Sequence, residues 1–186
     1  MSFAVKKSMG YKYQWTRFAI PGAEGVTLSC WIKVNDLFTQ ERKKGYQEAD
    51  YLRANNIFGI KTKDVPVWYE DLLGLTVAEI DDNHIALVGQ LAGVQVIGDV
   101  YNLEVGKWHN MVVTAAKTKE NTVKGVLYLD GVRIGLFFSQ SPYYPTPKQV
   151  QEFWVGVVGG NDGVLFSNDD GKVDEICLWS RPFSAE

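Results

Sequence analysis

A chain of 186 residues with a hydrophobic fraction of 46% is long enough to form one core without disulfides or a metal. Its aromatic fraction of 13% excludes disorder as the general state. The net charge of −3 excludes an obvious nucleic-acid binder, because such proteins concentrate Lys and Arg on one face. We therefore expect a single domain over residues 1–186.

Apolar and polar residues alternate with a period of two, which predicts strands along most of the chain. The first clear strand spans 26–34, and every second residue is expected on its buried face: Val26, Leu28, Cys30, Ile32 and Val34. Its other face is polar apart from Trp31. Further strands are predicted at 57–63, 75–80, 84–89, 94–101, 108–116, 153–160, 164–166 and 172–179. Only 42–54 favours helix, for one or two turns.

The segment KGVLYLDGVRIGLFF (124–138) predicts a β-hairpin. Asp130 and Gly131 can supply the two positive-φ residues of a tight turn. This turn implies three cross-strand pairs: Leu129–Val132, Leu127–Ile134 and Tyr128–Arg133. The first two pairs are expected on one face together with Leu136, and the third on the other.

The two cysteines each lie within a predicted strand and are too few for a disulfide-stapled scaffold. Cys30 and Cys177 could face one another if their strands are neighbours, so a disulfide stays open at this point. The favoured interpretation is two small buried hydrophobic side chains.

Four segments occur in the order found in one family of domains: VTLSCWIKV, GKWHNMVVT, LYLDGVRIG and GKVDEICLWSRPFSAE. They resemble the laminin-G-like and pentraxin-like jelly rolls of the concanavalin A-like lectin/glucanase superfamily, which occur in bacterial surface and phage virion proteins. The resemblance covers most of the chain and implies an all-β fold, an antiparallel two-sheet β-sandwich. It does not fix a function, because unrelated functions share this fold.

The superfamily includes β-glucanases that carry Glu-x-Asp-x-x-Glu on one strand, so an enzyme needs a direct test. Glu79 and Asp81 match the first two positions, but His84 occupies the third. Retaining hydrolysis needs a second carboxyl group as proton donor. Residues 82–83 favour a hairpin turn instead. We expect no catalytic activity, with a degenerate β-glucanase as the third alternative for function.

Calcium is the cofactor that the sequence suggests. Oxygen-bearing side chains cluster in two predicted loops: Asn161, Asp162, Asn168, Asp169 and Asp170. Carboxylate and amide oxygens suit calcium, and related modules bind it at loop rims. The same residue types are the usual turn formers, which is the favoured interpretation, so no cofactor is required.

Two proline-containing segments outside the strand pattern carry aromatic residues suited to binding a ligand or partner. One segment holds Trp68 and Tyr69, and the other holds Tyr143 and Tyr144. The alternative is that these rings fold back as lids over the edges of the sandwich.

The leading hypothesis is a non-catalytic phage virion subunit, on the surface or associated with decoration or fibre proteins. It would bind other subunits of an assembly, as an oligomer or on a lattice, and attach to host-surface glycans. The alternative is a secreted or cell-surface carbohydrate-binding module. No apolar run approaches the ~20 residues of a membrane span, so membrane insertion is not expected. The N-terminal residues also lack the apolar core of a secretory signal.

Overall fold

The computed structural model describes residues 11–13, 24–35, 56–62, 71–81, 84–91, 94–140, 150–155 and 171–184. All secondary-structure elements in these ranges are β-strands: β1 (Tyr11–Tyr13), β2 (Gly25–Val34), β3 (Asn56–Thr62), β4 (Asp71–Asp81), β5 (His84–Leu91), β6 (Val94–Tyr101), β7 (Trp108–Lys117), β8 (Val123–Leu129), β9 (Val132–Ser139), β10 (Val150–Val155) and β11 (Gly171–Trp179). Within the same ranges, no helix is long and apolar enough to cross a membrane. The predicted helical turns at 42–54 and the predicted strand at 164–166 lie outside the described residues.

The strands form two antiparallel sheets. One sheet has six strands in the order β1-β10-β3-β4-β5-β6, and the other has five in the order β11-β2-β7-β8-β9. The core lies between the sheets, and its largest fully buried side chains come from both: Leu28, Ile32, Leu75, Ile85, Leu87 and Met111. Burying one such side chain contributes roughly 1.5–3 kcal/mol. The predicted antiparallel two-sheet sandwich is confirmed.

The outer face of β2 is less exposed than its polar residues suggest. Thr27 and Ser29 are both buried, although they lie on the face opposite the core. The chain after β11 covers this end of the strand, where the Thr27 hydroxyl donates to the carbonyl of Arg181 at 2.9 Å. The same hydroxyl accepts from the amide of Phe183 at 2.8 Å. Residues 181–183, named here the C-terminal segment, therefore occupy one end of this outer face.

The predicted hairpin is present, with its turn formed by Asp130 at φ 50° and Gly131 at φ 79°. Positive φ at both residues matches the turn that joins two-residue hairpins. Two of the three predicted pairs are observed: Leu129–Val132 and Tyr128–Arg133.

The third predicted pair is wrong because a β-bulge shifts the register. Leu127 pairs with Gly135 rather than with Ile134, and Leu136 moves to the outer face, where it is exposed. Strands β9 and β6 approach closely at this point. A side chain at Gly135 would place its Cβ 2.5 Å from the carbonyl oxygen of Ile97. The bulge thus puts a glycine where the edges of the two sheets meet.

The two cysteines lie on neighbouring strands but form no disulfide. β11 pairs with β2, yet Cys30 faces the core whereas Cys177 is exposed. Side chains on adjacent strands can be bridged only if they point toward each other. The interpretation as a buried hydrophobic residue is therefore confirmed for Cys30 and wrong for Cys177.

Candidate functional site

The loop residues singled out by the sequence cannot be assigned to a site. The aromatic candidates lie outside the described residues: Trp68, Tyr69, Tyr143 and Tyr144. The calcium candidates lie outside them as well: Asn161, Asp162, Asn168, Asp169 and Asp170. Both sets stay predictions. Among the described ranges, no group of three or more His, Cys, Asp or Glu side chains is placed to hold a metal ion.

The glucanase-like motif lies at the hairpin of β4 and β5. A bulge separates Glu79, which pairs with Ile85, from Asp81, which pairs with His84. A bulge breaks the regular alternation that would align acids along one strand. The His84 ring stacks on Tyr101 with 4.2 Å between centroids.

The outer face of the five-stranded sheet brings together residues that are far apart in the sequence. Cross-strand pairing over β11, β2 and β7 aligns them in two adjacent rows: Lys172, Lys33 and Trp108 in the first, and Asp174, Trp31 and Asn110 in the second. Alternation with buried neighbours shows that these residues share the outer face. We call this set of six residues the tryptophan face. It measures about 10 Å across the strands and about 7 Å along them.

The two tryptophans give this face an apolar surface that is open to solvent. Trp31 is 37% exposed and Trp108 is 39% exposed. Among the described residues, neither ring stacks on another aromatic ring. Tryptophan combines a large apolar ring with one N–H donor, so it can stack on a ligand and also bond to it.

Polar groups surround the rings. The side-chain amide of Asn110 points toward the carbonyl of Cys30 at 3.5 Å, beyond the usual hydrogen-bond distance. Asp174 accepts a bond of 2.8 Å from the amide of Glu175, the positive-φ residue in a bulge of β11. Lys33 and Lys172 extend from the neighbouring row. The face therefore offers a carboxylate, a carboxamide and two ammonium groups beside two indole rings.

His109 supports the face from behind. It lies between Trp108 and Asn110 in β7, and its side chain is buried on the core side. Its Nδ1 is 2.7 Å from Asp130 Oδ2, and its Nε2 is 3.0 Å from the carbonyl oxygen of Glu104. Both partners are acceptors, so only the protonated ring can donate to both. Burial by itself lowers the pKa of His109, but these bonds and the two carboxylates outweigh it, and the pKa is raised.

The carboxylate of Asp130 also holds the backbone of the tryptophan face at Asn110. Asp130 Oδ1 accepts a bond of 2.7 Å from the amide of Asn110. The amide of Asp130 in turn donates to the carbonyl of Asn110 at 2.8 Å. These bonds fasten the turn after β8 to β7. His109 is thus a structural residue.

The sequence contained part of the signal for this site. Trp31 was the single large apolar residue on an otherwise polar strand face. Trp108 alternates with the buried His109, and this pattern also predicts an outward ring. Neither residue was proposed as a site, because binding residues are more often found on loops.

No family model matches the sequence, and no curated protein matches it. Solved structures share its fold. The native heptameric SAP-like pentraxin from Limulus polyphemus has a TM-score of 0.63 at 12% identity, covering 99% of this chain and 76% of that one. The IT-sialidase CBM40 of Ruminococcus gnavus, bound to α2,3 sialyllactose, has a TM-score of 0.53 at 10% identity, covering 100% and 94%.

The receptor-binding domain of botulinum neurotoxin type G has a TM-score of 0.53 at 10% identity. The match covers 99% of this chain and 39% of that chain. Identities this low establish a shared fold and nothing further. The expected jelly-roll β-sandwich fold is confirmed.

Proposed function

We propose that this jelly-roll chain is a non-catalytic carbohydrate-binding module whose ligand stacks on the tryptophan face. The observation that carries the proposal is the pair of exposed indole rings, Trp31 and Trp108, on adjacent central strands. A sugar ring presents an apolar C–H surface and a rim of hydroxyl groups. Flat aromatic rings bordered by amide and charged groups complement both features.

The position of the rings favours binding. They lie on β2 and β7, which pair with each other over nine residues, from Gly25 to Lys33 on β2. Side chains on paired central strands lose little freedom when a ligand binds, and less lost freedom means higher affinity. The C-terminal segment covers the far end of β2 and leaves the two rows uncovered.

The fold comparisons support this alternative better than the virion hypothesis. One similar structure is a carbohydrate-binding module with a sialylated sugar, and another is a pentraxin. The proposal implies that this chain acts outside the cell or at the cell surface. The virion hypothesis, with other subunits as partners, stays a prediction without a specific observation in its favour.

Catalysis is not part of the proposal. Glycoside hydrolysis generally uses two carboxyl groups on either side of the bond to be cleaved. The tryptophan face carries one carboxylate, Asp174, and that group accepts a bond from the amide of Glu175. Incubation with saccharides that bind should therefore release no reducing sugar, and release would contradict this part of the proposal.

Binding is tested with a panel of immobilised glycans, followed by titration calorimetry on those that bind. Trp31→Ala and Trp108→Ala should each weaken binding by about 30-fold or more, as expected for a central aromatic contact worth ~2 kcal/mol. Tyr101→Ala is the matched control, because Tyr101 is 65% exposed on the outer face of the other sheet. Thermal unfolding verifies that each variant is folded.

Two results would overturn the proposal. If no glycan binds the wild-type protein, the carbohydrate function is wrong. If glycans bind but only Tyr101→Ala weakens them, the ligand occupies the six-stranded sheet and the assignment to the tryptophan face is wrong.

A further inference from the structure

Two lysines lie directly opposite each other beside the tryptophans. Lys33 of β2 pairs with Lys172 of β11, and both side chains are on the outer face. Like charges at directly opposed positions of an antiparallel pair are destabilising. Trp108 continues the same row on the other side of Lys33. The chain thus places an unfavourable charge pair at the edge of its open aromatic surface.

In the described part of the chain, the carboxylate nearest to the pair on this face is that of Asp174. Among the described residues, neither lysine has a carboxylate within 4 Å. Asp174 belongs to the next row, about 7 Å along the strand, and its Oδ1 accepts the amide of Glu175. A negatively charged ligand group between the two ammonium groups would remove their repulsion.

We propose that Lys33 and Lys172 form an anion subsite, and that the ligand is an acidic saccharide. A carboxylate or sulfate on the sugar would lie between the two ammonium groups while its ring stacks on Trp31 and Trp108. This inference rests on the proposed carbohydrate-binding function and narrows it to a ligand class. Charge complementarity at the face selects acidic sugars over neutral ones of the same shape.

Other polyanions fit this surface less well. Nucleic-acid binders neutralise several phosphates in a row, and anionic membranes attract clusters of about four to eight basic residues. Here two opposed lysines border two indoles in a chain of net charge −3. A pair of ammonium groups at one end of an aromatic platform matches one acidic group attached to a ring.

The test uses glycan scaffolds that are each presented in neutral, carboxylated and sulfated forms. The wild-type protein should bind at least one acidic form about tenfold more tightly than its neutral counterpart, and raising the salt concentration should reduce that preference. Comparing the carboxylated with the sulfated form shows which acidic group the protein prefers. Lys33→Gln and Lys172→Gln should each remove most of the preference for the acidic form over the neutral form.

Lys124→Gln is the matched control. Lys124 lies on the outer face of the same sheet, with its ammonium 5.8 Å from the centroid of the Phe138 ring, away from the tryptophan face. Its replacement should leave the preference intact. A second readout needs no ligand: Lys172→Gln should raise the unfolding midpoint at low salt, since it removes the repulsion from Lys33.

The outcomes separate the two proposals. If neutral and acidic forms bind the wild-type protein equally, or the lysine variants keep the preference, the anion subsite is wrong while carbohydrate binding stands. If no form of any scaffold binds, the carbohydrate function fails and this inference fails with it.

Discussion

Replacing Asp130 with Asn tests the contact that joins the β8–β9 turn to β7. The carboxylate accepts two bonds of 2.7 Å, one from the His109 ring and one from the amide of Asn110. An Asn side chain retains an oxygen for the amide but loses the charge that attracts the imidazolium. A hydrogen bond between charged groups contributes about 1.5–3 kcal/mol. Because the Asp130 side chain is 48% exposed, water replaces part of it, and we expect a loss of about 1–2 kcal/mol.

The loss should depend on pH in a defined direction. The pKa of His109 is raised above its ordinary value of 6.5, so the folded state binds the proton more tightly than the unfolded state. Its contribution to the free energy of unfolding is complete below that ordinary value. The contribution disappears as the pH rises through the higher folded-state pKa. The stability of the wild-type protein should therefore fall as the pH rises across this window, and the stability of the Asp130→Asn variant should fall less.

Urea denaturation followed by tryptophan fluorescence measures this effect. With a typical slope of about 2 kcal/mol per molar, the substitution should lower the midpoint by roughly 0.5–1 M near pH 5.5 and by less near pH 8.5. His109→Gln serves as the control, because it removes the titrating ring and should flatten the profile. The reasoning is refuted if wild-type stability rises over this range, or if Asp130→Asn keeps the full wild-type slope.

Three further predictions follow from the packing. Gly135→Ala should destabilise the protein by about 1–3 kcal/mol in thermal unfolding, because its Cβ would press on the carbonyl oxygen of Ile97; an unchanged midpoint would contradict the close approach of β6 and β9. Thr27→Val preserves the shape of the side chain but removes both hydroxyl bonds to the C-terminal segment. It should lower the free energy of unfolding by ~1–2 kcal/mol and speed proteolysis of that segment, and equal digestion rates of the two proteins would refute this contact. Cys177 should react with a thiol reagent in the native protein and Cys30 only after denaturation, since burial raises the pKa of Cys30; two fast thiols would contradict this.

The strands and their buried faces could be predicted because their signal is local. Strand β6 has the predicted bounds 94–101, and the inward residues of β2 are those that period-two alternation selects. The hairpin turn was equally local, because Asp130 and Gly131 favour positive φ by their own chemistry. Each of these features depends on neighbours within a few residues.

The register after the bulge in the β8–β9 hairpin could not be predicted, because a distant strand determines it. Simple alternation pairs Leu127 with Ile134, and it contains no information on the approach of β6. The contact between Gly135 and Ile97 is tertiary, and it requires a residue without a Cβ at the crossing point. Likewise, the alternation along β2 contains no information on the C-terminal segment, which bonds to the hydroxyl of Thr27.

The candidate site was missed for the same reason. The sequence showed Trp31 on a polar face, but not that Lys172 would pair beside Lys33. That alignment follows from the pairing of β11 with β2, two strands that are far apart in the sequence. Aromatic residues in proline-containing loops, by contrast, can be recognised without knowing which strands are neighbours.

Strand β7 connects the proposed binding face to the core. Its successive residues alternate between the two roles: Trp108 and Asn110 face outward, while His109 and Met111 face the core. Protonation of His109 strengthens its bond to Asp130, and Asp130 holds the amide of Asn110. Raising the pH should loosen the Asn110 end of the face before the core unfolds. Trp31 lies on β2 rather than on β7, so its contribution to ligand affinity should be less sensitive to pH than that of Trp108.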